Sequence, residues 1–166
     1  MEIKFIKEIL WSQFGASIDM LENAMKACPD NLWGDRTQQP EFWYLVYHTL
    51  FWLDFYLTES PDVFDPPKPF TLSELDPEGL LPERIYTKAE LLTYLEHGRK
   101  KCRQTIENLT DEIGEKHYEY GSVEMSFGEL LLYNLRHVQH GAGQVNLILR
   151  QKTNSAPSWV KRTNSK

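Results

Sequence analysis

Apolar residues recur at intervals of three and four along four long stretches of the chain, the spacing of a helix with one buried face. The first runs from about Ile3 to Ala27 through Ile6, Leu10, Phe14, Ile18, Leu21 and Met25. Cys28-Pro29-Asp30 ends it, because the residue before a proline is pushed out of the helical region. The second begins at Pro40, a residue suited to a first helical turn, and reaches about Thr58. It is apolar nearly all round (Phe42, Trp43, Leu45, Val46, Leu50, Phe51, Trp52, Leu53, Phe55), which predicts the most buried helix of the set. Thr87 followed by Glu90 is a capping box that opens the third, which continues to about Leu109 through Leu91, Leu92, Leu95, Cys102 and Ile106. Ser126 and Glu129 form another such box, and the fourth runs from there to about Gln151.

Glu59 to Tyr86, between the second and third helices, is broken by Pro61, Pro66, Pro67, Pro69, Pro77 and Pro82, too many for a regular helix or a central strand. Phe64, Phe70, Leu72 and Leu75 predict that this connection packs over the bundle, where it could cover one mouth of a site. His117 to Glu124 reads as a short strand or as loop. There is no internal repeat. The pattern predicts one all-α domain over 1–151, a four-helix bundle with a long proline-rich connection between its second and third helices. The basic stretch 152–166 reads as a solvated tail, its Lys152, Lys161, Arg162 and Lys166 too dispersed for a binding patch.

Composition narrows the function classes. With 41% hydrophobic residues, five Trp, eight Tyr and eight Phe, the 166-residue chain can bury a core without staples. A formal charge of −6 argues against a nucleic-acid partner. No apolar run has the length of a membrane span, and the N-terminus lacks the uninterrupted apolar core of an export signal. Cys28 and Cys102 show no metal-ligand spacing, so a reduced, cytoplasmic protein with two free thiols is expected.

The chemistry concentrates in histidine. His48 sits mid-helix among Tyr44, Leu45, Phe51, Trp52 and Phe55, and an imidazole buried there without a partner would cost roughly 1–3 kcal/mol. It therefore has a partner, whether a metal, a side chain or a backbone carbonyl. His137 shares its helix face with Leu130, Tyr133, Gln144 and Ile148. Inward imidazoles on two helices are how a bundle builds a transition-metal site. His140, three residues on, either converges on the same metal or points at a neighbouring helix or solvent. His97 and His117 read as surface or loop residues, and Asp54, pointing away from His48, as a cap or ion-pair partner. No phosphate loop, nucleophile elbow or paired catalytic carboxylate is present.

Gln13-Phe14-Gly15-Ala16, Phe42 to Leu50, Pro82 to Leu91, and Arg136-His137-Val138-Gln139-His140-Gly141-Ala142-Gly143-Gln144 are spaced so that the chain resembles the DinB-like family, also grouped with YfiT-type metal-dependent hydrolases. The resemblance covers nearly the whole chain. It implies a four-helix bundle in which one histidine of the second helix and two of the fourth hold a divalent metal, commonly zinc or nickel. It also implies hydrolysis or transfer of a low-molecular-weight thiol to a small-molecule substrate, and frequent homodimers. Carried over, the ligands match His48 and His137. The third falls on Gly141, leaving His140 as a substitute, an acidic or polar group elsewhere to complete the site, or a decayed centre. Gly141 would leave a small cavity where an imidazole is missing. The rival is a metal-free binding or structural bundle, with His48 and His137 bonded to each other or to a water.

Overall fold

A computed structural model describes residues 2–58 and 60–164. Four long helices form a bundle: α1 (Ile3–Ala27), α3 (Phe42–Phe55), α4 (Lys88–Glu107) and α6 (Phe127–Thr153). Two short helices, α2 (Asp30–Trp33) and α5 (Asp111–Glu115), follow α1 and α4. A hairpin of β1 (His117–Tyr120) and β2 (Val123–Ser126) precedes α6, pairing antiparallel from His117↔Ser126 to Tyr120↔Val123. The all-α expectation holds, and the stretch left open as strand or loop is a hairpin.

Local chemistry sets the ends. Cys28 N–H closes α1 on Ala24 and Met25 carbonyls just before Pro29. The Thr87–Glu90 capping box forms in both directions at the start of α4. Ser126 accepts from Glu129 N–H at the start of α6. α3 is buried on almost every side, as its composition predicts.

Side-chain pairs fix the helix directions. Asp19 and Glu22 of α1 meet Arg99 of α4, while Lys88 reaches the Cys28 carbonyl and Lys7 the Glu107 carbonyl, so these two helices are antiparallel. Tyr47 lies against Tyr86 and Asp54 against Tyr94 and Lys101, so α3 and α4 run parallel. Asn134 of α6 donates to the Leu53 carbonyl and Gly141 abuts Thr49, so α6 is antiparallel to α3. Parallel neighbours need a long crossover, and residues 56–87 supply it. Phe64 packs edge-on against Phe51 and Phe55, and Phe70 stacks on Tyr94 with centroids 4.3 Å apart, so the crossover is docked across the bundle.

The expected solvated tail is docked as well. Asn154 takes a left-handed conformation (φ 54°) that ends α6 and turns the chain back. Thr163 N–H then donates to the Ser12 carbonyl at 3.1 Å, Gln13 donates to the Lys161 carbonyl, and Ala156 and Val160 pack on the core. Gly15 permits this approach, since a Cβ there would stand 2.6 Å from Thr163 Cγ2. Lys152, Lys161 and Arg162 face solvent, as does Trp159, while Ala156, Val160 and Thr163 are half-buried.

Candidate functional site

α3 and α6 bring His48 and His137 together, with ring centroids 5.4 Å apart. Aromatic rings wall the pair: Tyr44 and Trp52, one turn to either side of His48, contact it, and Tyr56 faces both His137 and Tyr133. His48 sits at the rim, its side chain 40% exposed, while Glu74 beside it is only 5% exposed.

Glu74 is the partner His48 requires. It stands on a 3-10 turn of the crossover (Ser73–Leu75), and its Oε2 lies 2.6 Å from His48 Nδ1. Trp52 Nε1 donates to the same oxygen at 3.2 Å, and the Tyr44 hydroxyl also bonds the carboxylate. Burial alone would raise the Glu74 pKa, but the His48 hydrogen bond and charge, with those of Tyr44 and Trp52, outweigh it and leave the group below its usual range. A carboxylate on Nδ1 fixes the orientation of the ring and, in a neutral imidazole, places the proton on Nδ1. Sequence reasoning passed over Glu74; the available signal was a lone acid between Leu72 and Leu75 in a segment already expected to pack on the bundle.

His137 Nε2 is buried and has no hydrogen-bond partner. Burial, then the charges of His48 and His140, pull the His137 pKa down to about 4, against a smaller opposing effect of the His48 and Thr49 backbone. The ring is therefore neutral at pH 7 and keeps a lone pair. His140 is exposed, and its charge contributes to the lowering of His137. Among the described residues, no three His, Cys, Asp or Glu side chains are grouped to hold a metal ion.

Gly141 does not open the cavity expected of it. A Cβ there would stand 2.8 Å from Thr49 Cγ2 and 3.0 Å from Thr49 Cβ, and closer still to Thr49 Oγ1. Thr49 thus fills the space beside α6, its hydroxyl donating to the Leu45 carbonyl at 2.7 Å. The remaining site expectations fall as follows. Asp54 is an ion-pair partner, accepting from Lys101 and Tyr94 at 2.5 Å and 3.1 Å. His97 and His117 lie at the surface, with side chains 44% and 60% exposed. A cleft of about 450 Å³ between α4, α5 and the hairpin contains neither histidine of the pair.

Two imidazoles thus stand side by side, one bonded to a buried carboxylate and the other with a buried, unpartnered nitrogen. Among the described residues, no helix is long and apolar enough to cross a membrane. The family model of the DinB superfamily matches residues 13–145. No curated protein matches the chain.

Proposed function

The chain belongs to the DinB superfamily, and from that premise we propose that His48 and His137 are two protein ligands for a divalent metal, zinc or nickel, whose coordination is completed by an outside donor. The observation that carries this reading is the buried, unpartnered Nε2 of His137 beside the ring of His48. An unsatisfied buried nitrogen is costly, and a ligand is one of the few partners that removes the cost. Neutral His137 is in the protonation state that metal ligation needs, and Glu74 orients the His48 ring as an outer carboxylate orients a ligand. Metal bound there would act as a Lewis acid and lower the pKa of a bound water or thiol.

The protein's own part is to bind and orient. Glu74 holds His48, and the rings of Tyr44, Trp52 and Tyr56 shield the pair and offer an aromatic wall to a small molecule. The reaction class that follows is hydrolysis, or transfer of a low-molecular-weight thiol to a small electrophile, with the thiol as the outside donor. Buried, unbridged Cys28 and Cys102 are compatible with a reduced, cytoplasmic setting. A homodimer is the assembly that the family favours.

A second reading is supported by Thr49 beside Gly141: a metal-free bundle that binds a small molecule through the same pair. Metal content after dialysis against zinc or nickel, with and without cysteine, decides between them. Uptake that needs the thiol and disappears in His137→Ala is expected. Protein that stays metal-free in both conditions overturns the metal reading and leaves the binding one.

A further inference from the structure

Gly141 stands one turn beyond His137, a spacing that puts both on one side of α6. It meets α3 at Thr49, the residue next to His48. The contact is tight: the three Thr49 side-chain atoms Oγ1, Cγ2 and Cβ all lie within 3.0 Å of where a Cβ at 141 would stand. Thr49 is 1% exposed and β-branched, and its hydroxyl is tied to the Leu45 carbonyl, so it has little freedom to swing aside. Gly143, two residues on, has nothing within 4 Å of its own Cβ position. The demand for glycine is therefore particular to 141 and comes from Thr49.

Resting on the reading that His48 and His137 are metal ligands, we infer that Thr49 and Gly141 are a reciprocal steric pair that closes the third protein position of the site. The absence of a third imidazole is then not a single lost side chain. α6 lies against α3 at this point, and a histidine placed at 141 alone has no room for its first carbon. The pair determines affinity: it holds the protein to two ligands and reserves the remaining coordination for water, thiol or substrate. A third imidazole can be installed only if Thr49 is cut back with it.

The experiment is a set of variants titrated with zinc in competition with a chromophoric chelator, in the absence of thiol. Gly141→His alone should lower the thermal midpoint and leave zinc affinity at the wild-type level. Thr49→Gly combined with Gly141→His should bind zinc roughly 100-fold more tightly than wild type, because tetrahedral zinc sites ordinarily use at least three protein ligands. Adding His137→Ala to that double variant should remove the gain. Gly141→His binding as tightly as the double variant, or a folded double variant with no gain, overturns the inference.

A metal-free measurement covers the case in which the histidine variants do not fold. Gly141→Ala should lower the thermal midpoint in wild type and raise it in the Thr49→Gly background; equal changes in both backgrounds, or loss of folding in both, overturn the steric pair. The two readings also fail separately. Gain in the double variant with no thiol-dependent uptake by wild type removes the outside donor and leaves the pair. Thiol-dependent uptake with no gain in the double variant does the reverse.

Discussion

His137 is where acid meets this structure. Its pKa falls from 6.5 to about 4, first because the ring is buried and then because His48 and His140 are near. Between those two values the unfolded chain binds a proton at this residue and the folded chain does not. Stability therefore rises with pH through that window and is lost as pH falls from about 6.5 towards 4. The loss is on the order of 3 kcal/mol at most for a shift of this size. Glu74 acts in a different range: its lowered pKa contributes stability above the ordinary value of 4.5, lost only as pH falls below it. Urea denaturation of chelator-treated protein should show a falling midpoint between pH 6.5 and 4.5 in wild type. In His137→Gln the slope over that interval should be nearly flat, and an unchanged slope would mean that the proton is taken up elsewhere.

Among the elements, α4 begins most sharply, with Thr87 and Glu90 bonding reciprocally and Arg84 clamping the same Glu90 carboxylate. Thr87→Ala removes both hydroxyl bonds and should cost about 1 kcal/mol of global stability. A denaturation midpoint equal to wild type would refute that. Caps of this kind are written within four residues, and helical periodicity within ten or so, which is why the four long helices and most of their ends were legible in the sequence. α2 and α5, at four and five residues, are too short to carry a period. Most of the tail is exposed, as its polar and basic composition predicts; its docking was not legible because it rests on the half-buried Ala156 and Val160 and on backbone bonds at Lys161 and Thr163. His48 and His137 were legible as inward residues of two apolar faces. Glu74 was not, because its partner is 26 positions away and the crossover that delivers it has no regular structure. The contact of Thr49 with Gly141 was hidden for the same kind of reason: a threonine in a helix and a glycine in another meet only once the bundle is assembled.

At the scale of the whole molecule, running α3 and α4 in the same direction has a consequence for the site. The chain must travel back along the bundle between them, and that return segment supplies Glu74. Site and fold are thereby coupled through the docking of the crossover, where Phe70 is the anchor: it stacks on Tyr94, packs edge-on against Tyr86 and lies flat over Tyr47. Tyr47 in turn donates to the Thr71 carbonyl, three residues before Glu74. Phe70→Ala should therefore do two things. It should destabilise the protein by roughly 3–5 kcal/mol, as removal of a buried ring does. It should also loosen Glu74 from His48 and weaken zinc uptake in the presence of thiol by about tenfold, the lower end of what loss of an outer carboxylate costs a metal site. The control is Leu21→Ala in α1, a fully buried residue outside the crossover. Its stability loss should be about 2–5 kcal/mol, with metal uptake preserved wherever the protein is folded. If both variants weaken uptake equally, general softening of the bundle explains the effect. If Phe70→Ala alone does so, the crossover is what holds the site in its working geometry.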